Sequence, residues 1–156
     1  MSDKKYTVNE YMRSEVVTLP PTATMREAVE TMLRTKTNGT VVVDNSHKVV
    51  GILSSWDFIQ YIVPDYLEED KHLAAFESGD VFVERVKELQ NDPISKFMSS
   101  KVHTCKADHS LMEAATLLSE FRIRQLPVVD DKGILVGYIN RTDIKKAIAD
   151  VLGISM

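Results

Sequence analysis

Apolar and polar positions alternate along this chain in a pattern that occurs twice. In the first half, Met25, Ala28, Val29, Met32 and Leu33 fall at the i, i+3, i+4, i+7, i+8 spacing of a helix with one buried face. Thr24-x-x-Glu27 opens that helix as a capping box. Two β-rich runs follow, residues 40–44 and 49–53, separated by the turn formers Asn45-Ser46-His47-Lys48, which predicts a hairpin. A last helix spans residues 55–63, and upstream a short helical turn over 8–12 leads into a brief strand around 16–18. The second half predicts the same series. A turn over 94–98 and a strand over 102–105 precede a helix opened by Ser110-x-x-Glu113, with Leu111, Ala114, Ala115, Leu118 and Phe121 on its buried face. A hairpin of residues 126–130 and 134–139 around Asp131-Lys132-Gly133 follows, and then a helix over 141–152.

Residues 8–62 superimpose on 94–148 at a constant offset of 86 with no gap, and thirteen of the 55 positions are identical. Among these are Met12/Met98, Ser14/Ser100, Asp44/Asp130, Gly51/Gly137 and Asp57/Asp143. The chain therefore carries an internal repeat, and its unit reads β-α-β-β-α. A unit of this size buries too little surface to be secure alone. The expected fold is α/β (α+β), with two repeats packed as a pseudo-twofold pair, a shared core, and ligand sites in the clefts between copies. The organisation follows as repeat 1 over 8–62, an acidic helical linker over 63–93, and repeat 2 over 94–152.

Composition narrows the class. The 156 residues include a single cysteine, Cys105, which argues for a reducing compartment and reads as a small buried or half-buried apolar residue. No apolar run approaches the ~18–20 residues of a membrane span, and Met1–Tyr6 lacks the apolar core of a signal peptide. The expectation is a cytoplasmic protein without a membrane partner. The net charge of −4 conceals a split: residues 63–93 sum to −6, residues 8–62 to −1 and residues 94–148 to +3. No dense basic stripe points to nucleic acid. The linker, bounded by Pro64 and Pro93, reads as one or two short helices divided at Gly79-Asp80, whose acids form a solvated face. Its sharper reading is a partner-docking element.

The chemistry concentrates where each hairpin runs into its last helix: Gly51-Ile52-Leu53-Ser54-Ser55-Trp56-Asp57 and Gly137-Tyr138-Ile139-Asn140-Arg141-Thr142-Asp143. A capping residue followed by an acid three positions on is, by itself, a helix start. Three features add a ligand reading. The acid is identical in both copies; so is the glycine six residues before it, which could let a ligand approach the strand; and a helix N-terminus suits anions while a carboxylate accepts from a vicinal diol. Carboxylate, small hydroxyl and helix start together describe a ribose-and-phosphate site. Trp56 reads as a packing anchor rather than a stacking platform. His47, His72, His103 and His109 show no metal-ligand spacing with each other or with Cys105, and no nucleophile, base and orienter converge, so neither a metal site nor catalysis is expected.

Gly51-x-x-Ser54-x-x-Asp57, the run Leu126-Pro127-Val128-Val129-Asp130 and the tandem units together resemble the CBS domain pair, or Bateman module, here as a freestanding module. The resemblance covers both repeats and leaves out the linker. It implies a non-enzymatic regulatory module that binds AMP, ADP or ATP and reports the bound state to a regulated partner protein of unknown identity. It also implies a disc-like homodimer formed through the helices. Alternatives are a ligand-independent interaction module, or a binder of S-adenosylmethionine or NAD. Carried over by position, one cleft combines Ile52, Ser54, Trp56 and Asp57 with Lys101, His103, Ile123, Arg124 and Pro127. The other combines Tyr138, Asn140, Thr142 and Asp143 with Glu15, Val17, Thr37, Asn38 and Val41. Repeat 1 departs from the family pattern, with Thr40-Val41-Val42-Val43 in place of Leu-Pro-Val-Val, and Asn140 stands where Thr or Ser is usual. Lys106, Arg122 and Arg124 lie in the stretch serving the Asp57 cleft, and arginine donates to phosphate in pairs. The Asp57 cleft is therefore expected to bind nucleotide more tightly than the Asp143 cleft, with Arg141 partly compensating in the latter.

Overall fold

The computed structural model describes residues 5–77, 79–121 and 123–154. Helix α1 (Val8–Tyr11) leads to strand β1 (Thr18–Leu19), helix α2 (Met25–Thr35), strands β2 (Gly39–Val43) and β3 (Val49–Ser54), and helix α3 (Ser55–Ile62). Helix α4 (Asp65–Glu69), a 3-10 turn (Lys71–Phe76) and helix α5 (Gly79–Leu89) form the middle segment. A second 3-10 turn (Ile94–Lys96), helix α6 (Leu111–Glu120), strands β4 (Gln125–Val129) and β5 (Leu135–Asn140), and helix α7 (Arg141–Leu152) complete the described chain.

Local chemistry sets these boundaries. Thr24 Oγ1 accepts from the Glu27 N–H at 3.1 Å while the Glu27 carboxylate accepts from the Thr24 N–H at 3.2 Å, the full capping box. Only half of the box expected at α6 forms. Ser110 Oγ accepts from the Glu113 N–H at 3.1 Å, and the Glu113 carboxylate lies 3.5 Å from His109 Nδ1 instead. Both hairpin turns are tied by an identical acid. Asp44 Oδ1 accepts from the N–H groups of Ser46 and Lys48 at 2.8 and 3.0 Å, and Asp130 Oδ1 from those of Lys132 and Ile134 at the same distances. These turns account for the identity of Asp44 and Asp130 without a ligand.

Two compact units organise the described residues: Met1–Val16, Val43–Val49 and Lys101–Met156 form one, and Val17–Val42 with Val50–Ser100 form the other. In the second unit β1 runs parallel to β2, with Thr18 opposite Val41, in a sheet of order β1-β2-β3. Its core is Leu19, Ala23, Ala28, Val42, Leu53 and Ile94. Ile94 comes from the leading turn of repeat 2. Its N–H donates to the Ala23 carbonyl at 2.8 Å, and the neighbouring Phe97 stacks on Tyr61 at 4.5 Å between ring centroids.

The first unit reverses the arrangement. Strands β4 and β5 pair antiparallel from Gln125–Asn140 to Val129–Leu135, over a core of Val8, Cys105, Leu111, Ala114, Leu118, Leu126, Val128, Ile139 and Ala147. Val8 belongs to the leading turn of repeat 1. The Val8 and Asn9 N–H groups donate to the His109 and Ala107 carbonyls, each at 2.8 Å. The leading turn of each repeat thus completes the core built mainly from the other repeat, and burial resolves into two clusters rather than one shared core. Fully burying a leucine or isoleucine contributes about 1.5–3 kcal/mol, so Val8 and Ile94 are integral parts of the folds they enter.

The structure departs from the sequence reading in four places. The buried stripes of α2 and α6 are narrower than expected: Met25, Ala28 and Met32 are buried, yet Val29 is exposed and Leu33 is 74% exposed, as is Phe121 in part beyond α6. The strand expected over 102–105 reduces to one parallel bridge between Cys105 and Val128. Gly79 and Asp80 do not divide the middle helices but begin α5, and much of that segment's apolar surface is open, with Phe76 85% exposed. Helix α5 is secured by Arg85, whose Nε and Nη2 donate to the Ile62 and Tyr61 carbonyls at 3.0 Å. Finally, Trp56 is 63% exposed and anchors no core. Among the described residues no helix is long and apolar enough to cross a membrane.

Candidate functional site

Each final helix begins directly at the end of a strand, which projects the repeated acid from the first helical turn. In the unit holding α3, the Ser54 N–H donates to Asp57 Oδ2 at 2.8 Å and Ser54 Oγ donates to the same oxygen at 3.2 Å. Asp57 is half-buried, and its Oδ1 accepts no bond among the described residues. The Ser55 N–H donates to the Asn38 carbonyl at 3.2 Å, which sets the start of α3 beside the entry to β2. Thr37, just before, shares a 3.1 Å hydroxyl contact with Thr35, and Val41 and Val17 are joined by a 3.2 Å backbone bond. Ile52 exchanges both backbone bonds with Ser99 at 2.9 Å.

The Asp143 unit uses the same plan with a different outcome. The Asn140 N–H donates to Asp143 Oδ2 at 3.0 Å, and Asn140 Oδ1 accepts from the Asp143 N–H at 3.0 Å, so asparagine caps the helix as well as serine would. Arg13 Nε then donates to Asp143 Oδ1 at 3.2 Å. Asp143 is 2% exposed and both its oxygens are engaged. The hydrogen bond and charge of Asp143 push the Arg13 guanidinium above its ordinary range. That guanidinium lies 5.8 Å from the Tyr138 ring centroid, and the Arg13 and Tyr138 backbones exchange bonds at 2.8 and 2.9 Å.

The remaining expected residues divide between the units. Lys101, Arg124 and Thr142 are exposed in the Asp143 unit, together with Glu15 from the leading segment. The Arg141 N–H donates to the Arg124 carbonyl at 3.1 Å and Arg141 Nε to the Ile123 carbonyl at 3.3 Å. The Arg124 guanidinium itself has no ion pair or hydrogen bond among the described residues. His103 stacks on Phe121 with ring centroids 3.6 Å apart, and Pro127 is fully buried in β4. Lys106 drops out as a phosphate ligand because its Nζ is paired with Asp131 Oδ1 at 2.6 Å. Arg122 lies outside the described residues. No group of three or more His, Cys, Asp or Glu side chains among the described residues could hold a metal ion.

Two further sequence readings change. Gly51 and Gly137 serve the chain rather than a ligand. A Cβ on Gly137 would lie 2.6 Å from the Arg13 carbonyl oxygen, and one on Gly51 would lie 2.5 Å from Met98 Sδ. The segments at Met12-Arg13 and Met98-Ser99 cross these strands at equivalent repeat positions. Arg13 itself went unrecognised in the sequence. The available signal was a charged residue aligned with Ser99 and flanked by the identities Met12/Met98 and Ser14/Ser100.

Two crosswise-completed β-α-β-β-α repeats, each opening its last helix with a capped acid, define a tandem-repeat α/β fold. The CBS domain model matches residues 8–64 and 94–150, and the chain belongs to the CBS domain family. The crystal structure of CBSX2 in complex with AMP is similar at 25% identity and a TM-score of 0.71, covering 94% of this chain and 98% of that one. The uncharacterized protein MJ1426 of Methanocaldococcus jannaschii is 29% identical over 135 residues, 78% of this chain and 79% of the relative. Inosine-5'-monophosphate dehydrogenase of Nitrosopumilus maritimus is 32% identical over 130 residues, which are 78% of this chain but only 26% of that enzyme.

Proposed function

We propose that this chain is a regulatory sensor that binds an adenosine nucleotide of the AMP–ADP–ATP class and passes the bound state to a partner protein. The observation that carries the reading is the half-buried Asp57 carboxylate, held through Oδ2 by Ser54 and left with a free Oδ1 at the first turn of α3. A free carboxylate oxygen beside a hydroxyl suits a ribose diol. Ile52 lies in the same unit as Asp57, and the exposed, unengaged Arg124 of the other repeat is the phosphate donor that the family resemblance assigns, with Lys101, His103, Ile123 and Pro127 as its expected companions. The AMP complex of the similar CBSX2 supports the choice of ligand class. Signalling requires that the nucleotide bind two conformations of the module unequally.

Thermal-shift measurements against AMP, ADP, ATP, S-adenosylmethionine and NAD test the reading. A ligand at 100 times its Kd stabilises by about 2.7 kcal/mol, and Asp57→Ala removes the shift. Equal shifts for wild type and Asp57→Ala overturn the assignment. A second reading, a ligand-independent docking module, draws on the exposed Phe76 and Phe82 of the acidic middle segment. It is favoured if no adenosyl compound shifts the melt.

A further inference from the structure

We propose that Arg13 closes the second repeat's site by occupying the Asp143 carboxylate, so that the chain takes up one nucleotide, at Asp57. The inference rests on the adenosine-nucleotide reading above and adds the residue that decides how many sites are open.

The two acids are identical in sequence and differ in what meets them. A ribose diol needs a carboxylate oxygen that solvent can reach and that keeps a lone pair open. Asp57 offers one, since Ser54 uses only Oδ2. Asp143 offers no accessible one: Asn140 bonds Oδ2, the Arg13 guanidinium lies on Oδ1, and with the side chain 2% exposed their remaining lone pairs are shut off from solvent. The arginine is delivered by a fixed backbone. Residue 13 exchanges both its backbone bonds with Tyr138, and the missing Cβ of Gly137 lets the Arg13 carbonyl lie against the strand. Its guanidinium is further held over the Tyr138 ring. At the equivalent place in the other unit, Ser99 exchanges the same bonds with Ile52 but carries a short hydroxyl, and no bond joins it to Asp57. Arginine against serine at equivalent positions of the two crossing segments thus places an internal ion pair on one acid and leaves the other without one. A nucleotide would have to displace a charge-assisted hydrogen bond, stronger than a neutral one, to enter there.

Calorimetric titration of the full chain with AMP tests this. Wild type takes one AMP per chain; Asp57→Asn weakens it tenfold or more; Asp143→Asn leaves number and affinity within twofold. Arg13→Ser gains a second AMP, which is lost again in the Arg13→Ser/Asp143→Asn double variant. Two AMP per wild-type chain, a tenfold loss in Asp143→Asn, or a folded Arg13→Ser that still takes one AMP overturns the proposal. A ligand-free readout separates this from the parent reading. The Arg13 Nε–H proton, followed by nitrogen-15 NMR, exchanges slowly in wild type and at a solvent-like rate in Asp143→Asn. Fast exchange in wild type overturns the closure whatever the nucleotide result, whereas absence of AMP binding with slow exchange overturns only the AMP reading. Should Arg13→Ser fail to fold, the Asp143→Asn titration and the exchange measurement still decide.

Discussion

Thr40→Val stabilises this protein. Thr40 in β2 is 2% exposed, and its Oγ1 is a buried side-chain polar atom without a hydrogen-bond partner among the described residues. The aligned position in repeat 2 is Leu126, a fully buried member of its core. Leaving a buried hydroxyl unpaired costs about 1–3 kcal/mol. Valine keeps the branching, shape and strand preference of threonine while replacing the hydroxyl with a methyl group, which belongs in such surroundings. The expected gain is about 1–2 kcal/mol, allowing for partial relaxation in the wild type. For a chain of this size that raises Tm by roughly 2–4 °C per kcal/mol. Urea unfolding followed by far-UV circular dichroism reads it directly as a higher midpoint at constant m. Thr40→Ser is the control, because it keeps the hydroxyl and loses the packed methyl, and it destabilises by about 1 kcal/mol. A Thr40→Val midpoint equal to or below wild type at unchanged m refutes the reasoning, since the hydroxyl would then have a partner in the folded protein.

Gly137→Ala destabilises by about 1–3 kcal/mol because its Cβ meets the Arg13 backbone carbonyl. Gly51→Ala costs less, since it meets the flexible Met98 side chain; denaturation midpoints in the opposite order would contradict the crossing-segment account. Burial, and then the charge of Glu113, push the Cys105 thiol from 9.0 up to about 12. The native thiol therefore resists thiol-reactive dyes near about pH 8 until the chain unfolds, and native labelling at a free-cysteine rate would disprove it. Because the folded pKa lies above the unfolded one, this group's stabilisation is complete below about pH 9 and is lost as pH rises toward about 12; Cys105→Ala flattens that part of the stability profile. The exposed apolar side chains Leu33 on α2, Met112 on α6, and Ile148, Val151 and Leu152 on α7 support self-association through helix faces. Light scattering should find a homodimer that the Leu33→Glu/Met112→Glu double variant splits, and a monomeric wild type at micromolar concentration would refute this.

What was legible in the sequence is what local chemistry decides. Asx turns at Asp44 and Asp130 and caps at Thr24, Ser54, Ser110 and Asn140 mark element ends through bonds spanning only a few residues, so pattern and spacing suffice to find them. The width of a buried helix face is not local. Sheets of two or three short strands cover only a narrow stripe of the helix above them, and Val29 and Leu33 stay outside it although their spacing matches the stripe. Nor does spacing say which core a residue enters. Val8 and Ile94 read correctly as apolar turn residues, yet each is spent on the core of the other repeat, a choice made by chain path rather than by neighbours in sequence. Trp56 failed for a related reason: its place in the first turn of α3 points it outward, and aromatic size alone carries no direction.

Identity between repeats measures shared architecture before it measures shared chemistry. Asp44/Asp130 close turns, Gly51/Gly137 admit a crossing segment, and even Asp57/Asp143 first satisfy the N–H of the residue that caps their helix. Each of these pairs would be kept in a protein that bound nothing. On the proposed nucleotide reading, selectivity between the two sites resides in the positions that differ while their surroundings stay fixed. Among the differences around the helix-start sites are Arg13 against Ser99, and Arg124 against Asn38. The first places a guanidinium on one acid and leaves the other open; the second leaves an unengaged guanidinium in repeat 2 and an amide in repeat 1. The first separates the two acids within their own units, and the second sets a cation in the Asp143 unit against a neutral amide in the Asp57 unit. The symmetric fold supplies two equivalent frames, and on the proposed nucleotide reading Arg13, placed in one of them alone, is the residue that distinguishes the two acids.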